Sequence, residues 1–188
     1  MEKIIVNRET RTVIYDTEKR VYKKYIRPKI CKRIKCFLRL RRYPGENYKY
    51  ISDILEKAGI RVVEVLSWSK YSVITKEVFG KSLLEELVTS DKEKGKELIE
   101  KYIELASKII NLGIYFGDFN FGNFIVSNGE IYAIDLEDYR KDFFSAYRRK
   151  SVIKRLRRQL VERTEIMGKM SEFFNGNEVF NEIEKRLK

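Results

Sequence analysis

Over the first 26 positions apolar and polar residues alternate in short runs. "KIIV", "TRTVIY" and "RVYKKYI" each carry β-branched or aromatic residues at a spacing of two, and the polar "DTEK" at 16–19 supplies a hairpin turn. Three short antiparallel strands are predicted. In the third, Val21, Lys23 and Tyr25 point to one face and Tyr22 and Lys24 to the other, because side chains alternate along a strand. One lysine must then face inward or stand at a cleft. Sharing a face with Val21 favours Lys23, with Lys24 as its rival.

The period then changes. Residues 27–42, "RPKICKRIKCFLRLRR", interleave Ile30, Ile34, Phe37, Leu38 and Leu40 with eight basic residues and no acid, the pattern of a basic amphipathic helix or arm stopped by Pro44 and Gly45. "ENYKYISDILEKAG" places Tyr48, Ile51, Leu55 and Ala58 on one helical stripe, closed by Gly59 as C-cap. "IRVVEVLSW" and "YSVITKEVFG" read as two further strands, ended by Gly80. A Ser82–Glu85 capping box opens a short helix, and "SDKE" at 90–93 repeats the device before a long one. On that long helix Leu98, Tyr102, Leu105, Ile109 and Leu112 share a face, widened by Ile99, Ile103, Ala106 and Ile110 and ended at Gly113. "FIVS" and "IYAID" form a hairpin about Asn128-Gly129, the strongest two-residue turn signal. From 143 onward the chain reads as helical and basic, with seven basic residues and no acid in 148–158.

At 188 residues and 43% hydrophobic content the chain can bury a core as one compact unit, which leaves room for two small lobes sharing an interface. The formal charge of +12 implies a field that attracts a polyanion: nucleic acid, an acidic membrane surface or a phosphorylated substrate. No apolar run approaches the ~20 residues of a bilayer span, and "MEKIIVNRET" has no signal-peptide pattern, so a cytoplasmic protein is expected. Without histidine or a second cysteine pair, Cys31 and Cys36 do not make a zinc site; both are expected to be reduced, small apolar residues.

Three polar positions ask for a separate explanation. A hairpin needs no Asp ahead of its first strand and none at the end of its second, yet Asp118 and Asn123 lie five apart on one loop and Asp135 ends the returning strand. All three can converge. Their oxygens suit Mg²⁺, which takes a few carboxylate or amide oxygens together with phosphate and water. D-x4-N followed by I-D matches phosphoryl-transfer enzymes, in which an Asp accepts a hydroxyl proton and an Asn and a later Asp hold metal. Such enzymes also need a lysine on the third strand of a small lobe, and "RVYKKY" supplies Lys23 there. Singly, each Asp or Asn is explained as well by turn and capping hydrogen bonds; it is their order and spacing that point to a site.

"GDFNFGNFIVSNGEIYAIDLEDYR" resembles the catalytic core of lipopolysaccharide core heptose kinases of the RfaY/WaaY type, a branch of the protein-kinase-like superfamily. Upstream, "NRETRTVIYDTEKRVYKKY" looks like that family's first strands and strand lysine, and "TKEVFGKSLLEEL" like its hinge and following helix. The resemblance covers roughly residues 4 to 160 and is strongest over 113–140. It implies an α+β, two-lobe fold, with a sheet-plus-helix N-lobe over 1–79 and a mainly helical C-lobe over 80–188. It further implies ATP and Mg²⁺ as cofactors, Asp118 as catalytic base, Asn123 and Asp135 as metal ligands, and Lys23 on the nucleotide phosphates. Backbone groups from Glu77 to Phe79 would meet adenine, and Glu46, with Glu56 as the alternative, would pair with the lysine.

Two departures stand out. Phe116 takes the place of a histidine many relatives carry two residues before the catalytic Asp, and there is no glycine-rich phosphate loop. The chain past Asp135 is too short for a long activation segment and peptide-binding subdomain, which argues against a protein acceptor. The expected acceptor is a sugar hydroxyl, such as a heptose of a glycolipid, with the basic segments held at the anionic inner face of a membrane. Rival readings are a small atypical kinase of the RIO or tRNA threonylcarbamoyl-adenosine type, whose basic surface would meet nucleic acid, and a non-catalytic nucleotide- or membrane-binding relative.

Overall fold

The computed structural model describes residues 1–116, 118–141 and 146–188. β1 (Glu2–Arg8), β2 (Arg11–Asp16) and β3 (Val21–Ile26) form the predicted meander, with Val13 opposite Lys24 and Ile14 opposite Lys23. β3 pairs next with β5 (Ser72–Lys76), and β5 with β4 (Val65–Trp68), closing an antiparallel sheet of order β1-β2-β3-β5-β4. Of the long run expected as a strand over 60–68, only the second half pairs in this sheet. Val62 instead bridges Ala133, and Arg61 accepts from the Ala133 N–H at 3.0 Å, tying this connection to the C-terminal half.

α1 (Ile30–Phe37) and α2 (Pro44–Lys57) lie between β3 and β4. The stop expected at Pro44-Gly45 is in fact a start: Pro44 sits in the first turn of α2, where its missing N–H costs nothing. α1 ends earlier, where Arg39 adopts φ +55°. α2 buries Tyr48, Ile51, Ser52 and Leu55 against the sheet.

After β6 (Lys81–Ser82), α3 (Leu83–Thr89) starts at the expected Ser82–Glu85 capping box. α4 (Lys92–Asn111) starts one residue later than the sequence pattern suggests, with Asp91 rather than Ser90 accepting from the Lys94 N–H at 2.9 Å. Its wide apolar face, including fully buried Tyr102, Ala106 and Ile109, forms the centre of the main core. β7 (Phe124–Ser127) and β8 (Glu130–Ala133) make the hairpin, with Asn128 and Gly129 at φ +50° and +76°, the twist a two-residue turn demands. α5 (Arg149–Arg157) widens into a π-helical turn over Arg158–Arg163, and α6 (Gly176–Lys185) packs on α4. The helical reading from 143 begins on residues outside those described. Cys31 is exposed and Cys36 buried, both free.

Candidate active site

The 118–123 loop is held from three sides. Tyr102 of α4 donates its buried hydroxyl to the Phe119 carbonyl at 2.9 Å. Gln159, in the π-helical turn, accepts from the Phe119 N–H at 2.7 Å and donates to Asp118 Oδ1 at 2.6 Å. Asn123 donates from its side-chain amide to the Asp118 carbonyl at 3.3 Å, which leaves its own oxygen available. One strand away the Ile134 N–H donates to the Asn123 carbonyl at 3.1 Å, so the hairpin brings Asp135 back beside Asn123. Asp118, Asn123 and Asp135 all line one cavity of about 1460 Å³.

Phe116 is buried and stacks on Tyr139 at 3.8 Å and on Phe119 at 4.1 Å between ring centroids. An aromatic side chain therefore supports the loop by packing, while the polar hold on Asp118 comes from Gln159. Gln159 has no signal in the sequence, because 41 residues separate it from the carboxylate it orients.

Asp135 sits at φ +57°, ψ +47°, a left-handed conformation that a non-glycine residue keeps only where its surroundings impose it. Its carboxylate meets two cations: Lys24 bonds Oδ1, and Arg11 lies 3.3 Å from Oδ2. Burial works against the charge, but Lys24 and Arg11 outweigh it and hold Asp135 below the ordinary carboxylate range. Burial likewise opposes the Lys24 ammonium and is overcome by Tyr48, Asp135 and Glu137, so this lysine is held more firmly protonated than usual. Its ammonium lies 5.5 Å from the centre of the Tyr48 ring, and burial pushes the Tyr48 phenol up to about 12.

The lysine at the cleft is therefore Lys24, not Lys23. Lys24 lies between Val13 and Val73, both buried, whereas Lys23 lies between Ile14 and Ile74 on the other face, bonded to Glu2 and 3.6 Å from Asp16. Parity misleads because both faces of β3 carry apolar residues and Val21 is buried on the outer one. Glu46 is also corrected. It lines the cavity from the first turn of α2 but forms no ion pair among the described residues, because the helix face turned towards Lys24 presents Tyr48. Glu56 is exposed near the far end of α2.

The second carboxylate near Lys24 is Glu137, two residues past Asp135. It accepts from Arg11 at 2.6 Å, and its Oε2 is buried without a hydrogen-bond partner among the described residues. "DLED" carried that signal. Arg11, at the start of β2, bridges Asp135 and Glu137 from the strand turn that stands where a glycine-rich loop would. At the β5 exit, the Glu77 N–H is taken by the Arg20 carbonyl at 2.9 Å and its carboxylate by the Tyr15 hydroxyl at 2.8 Å. What the segment can offer a base is the Glu77 carbonyl and the Phe79 N–H; the Phe79 ring is exposed beneath Arg20 at 4.9 Å.

The donor set fits Mg²⁺: Asn123 and Asp135 provide hard oxygens, and Glu137 Oε2, without a hydrogen-bond partner among the described residues, offers another. Among the described residues no cluster of three acidic or sulfur ligands forms a self-sufficient metal cage. Such a site would need oxygens from a bound phosphate.

No family model and no curated protein matches this chain by sequence. Solved structures do match in shape. An aminoglycoside phosphotransferase, APH(2")-IIa, in ternary complex with streptomycin and ATP aligns over 99% of this chain and 78% of its own, with a TM-score of 0.62 at 11% identity. Rio2 kinase from Chaetomium thermophilum, in its ADP/Mg²⁺-phosphoaspartate complex, aligns over 98% of this chain and 60% of its own, with a TM-score of 0.59 at 16% identity. ADP-bound APH(2")-Ib aligns over 99% and 76%, with a TM-score of 0.51 at 14% identity. At such identities the likeness is one of fold. The chain has the protein-kinase-like α+β fold, a small antiparallel sheet with a helix set against a mainly helical half.

Proposed function

We propose that this protein is an ATP- and Mg²⁺-dependent phosphotransferase acting on an alcohol, with a heptose of lipopolysaccharide core or a similar glycolipid sugar as acceptor. One observation carries the reading: Asp118, Asn123 and Asp135 line one cavity, with buried Lys24 bonded to Asp135. Asp118, held by Gln159, is placed to orient an acceptor hydroxyl and take its proton. Lys24 and Arg11 supply positive charge for phosphate oxygens, Arg11 doing so in place of glycine-loop N–H groups. Mg²⁺, when bound by Asn123 and Asp135, would neutralise charge on the transferring phosphoryl group. Catalysis of this kind is mostly positioning and electrostatics.

The glycolipid assignment is supported by the sequence resemblance and by the exposed, basic α1 beside the cavity. Asp118→Ala should lower turnover on a glycolipid acceptor by about 10²–10⁴-fold, the usual worth of a positioned acid–base group. Stabilisation by ATP and Mg²⁺ should persist in that variant. A non-catalytic reading gains weight from the way Lys24 and Arg11 already take both Asp135 oxygens. Thermal shift separates the two readings: absence of any stabilisation at millimolar ATP with Mg²⁺ sinks the enzyme reading.

A further inference from the structure

The residue that holds Asp118 comes from outside the 118–123 loop, and its surroundings show how it is aimed. Gln159 lies at the second position of the π-helical turn, Arg158–Arg163, that continues α5. Such a turn is wider than an α-helical one and displaces side chains around the helix axis; single turns of this kind recur at functional sites. Here the turn is fixed on both flanks. Thr164 donates its hydroxyl to the Gln159 carbonyl at 2.9 Å. Leu160 is buried, and its carbonyl oxygen stands 2.2 Å from where a Cβ of Gly176 would lie, so the start of α6 is packed directly on the turn.

The Gln159 amide has one usable orientation. The Phe119 N–H is a donor only, so the amide oxygen must face it, at 2.7 Å, and the NH₂ group must face Asp118 Oδ1, at 2.6 Å. The Asn120 N–H reaches the same Oδ1 at 3.3 Å. Both donors therefore fall on one oxygen, and Oδ2 has no hydrogen-bond partner among the described residues. Since Asp118 lines the cavity, Oδ2 is the oxygen that an acceptor hydroxyl can meet. Asp118 is itself exposed, and without its strongest donor its carboxylate is free to turn to other rotamers. We propose that Gln159 is a positioning residue for phosphoryl transfer: it fixes the rotamer of Asp118 so that Oδ2 is presented to the acceptor, and the π-helical turn seated on α6 fixes Gln159. The inference rests on the phosphotransferase reading.

ADP formation from ATP with Mg²⁺, water serving as acceptor, tests this on the full chain. Two variants separate the two bonds. Gln159→Glu keeps an oxygen for the Phe119 N–H and sets a carboxylate against Asp118, whereas Gln159→Ala removes both bonds. Each should lower kcat about tenfold or more, the worth of a charge-assisted hydrogen bond, with the KM for ATP unchanged and thermal stabilisation by ATP retained. If Gln159 served only to support the loop through Phe119, Gln159→Glu would turn over like the parent, and that result would overturn the proposal. A cycle with Asp118→Ala adds a second readout: in a protein already lacking the carboxylate, Gln159→Ala should cost nothing further. Full additivity of the two losses would mean that Gln159 acts by another route, and would overturn the proposal as well. Failure of the underlying reading looks different. A parent chain that ATP does not stabilise and that forms no ADP removes the phosphotransferase assignment and the positioning role with it, whereas an active parent indifferent to Gln159→Glu loses the positioning role alone.

Discussion

Lys23 and Lys24 carry the same charge on adjacent residues and differ only in the side of β3 they occupy. Lys24 is buried against Asp135 and the Tyr48 ring; Lys23 keeps its partners on the outer face. Replacing each with methionine keeps the aliphatic stem and removes the charge. Lys24→Met is expected to abolish stabilisation by ATP and Mg²⁺ and to lower stability by about 1–2 kcal/mol, because it strips a charged hydrogen bond from a half-buried carboxylate that keeps Arg11 as its other partner. Lys23→Met loses an ion pair of the kind worth about 0–1 kcal/mol and should keep its nucleotide response. Chemical denaturation and thermal shift read both outcomes; a nucleotide response that follows Lys23 instead would return the site to the other face. Of the site, the triad Asp118, Asn123 and Asp135 was legible because its members lie on a loop and a hairpin whose turn is encoded locally. Arg11, Gln159 and the choice between the lysines were not. Each depends on a contact between segments distant in sequence, or on which of two apolar faces the rest of the chain covers.

At the level of elements the same distinction holds, and Gly45 shows its limit. The sequence reads Pro44-Gly45 as a stop because both residues interrupt helices, yet Pro fits a first turn equally well. Gly45 is needed for a reason no local pattern contains. A Cβ there would stand 2.1 Å from the Ser69 carbonyl oxygen and 2.4 Å from that of Ser72. The Gly45 N–H also donates to the Lys70 carbonyl at 3.1 Å, so the start of α2 is seated directly on the β4–β5 turn. Gly45→Ala must move one or the other, at a cost of about 1–3 kcal/mol typical of overpacking. Since α2 carries Tyr48 to Lys24, displacement should also weaken nucleotide binding, whereas Gly59→Ala, with nothing near its Cβ, should cost only its positive-φ strain. Urea denaturation of the two variants, followed by ATP titration, checks both parts. A Gly45→Ala protein as stable as the parent would mean that α2 is not seated on that turn.

At the scale of the whole molecule, the formal charge of +12 is unevenly spread: the segments 27–42 and 148–158 carry eight and seven basic residues with no acid, and both border the cavity. α1 adds an apolar surface to that charge. Ile30, Ile34 and Phe37 are 72%, 52% and 79% exposed, followed by exposed Leu38 and Leu40, while Cys36 faces inward. No described helix is long and apolar enough to cross a membrane. A basic helix with bulky apolar side chains suits a membrane surface, since each Lys or Arg near an anionic leaflet contributes about 1 kcal/mol and each buried methylene about 0.8 kcal/mol. The protein should therefore sediment with vesicles of phosphatidylcholine mixed with phosphatidylglycerol, and much less with phosphatidylcholine alone. Raising the salt should weaken the electrostatic part and leave a residue due to the apolar side chains. The double variant Ile34→Ser, Phe37→Ser should remove that residue without altering stabilisation by ATP, because neither side chain lines the cavity. Undiminished sedimentation of the double variant would assign the exposed face of α1 to something other than lipid, and self-association measured by ultracentrifugation would identify a second copy of the chain as its partner.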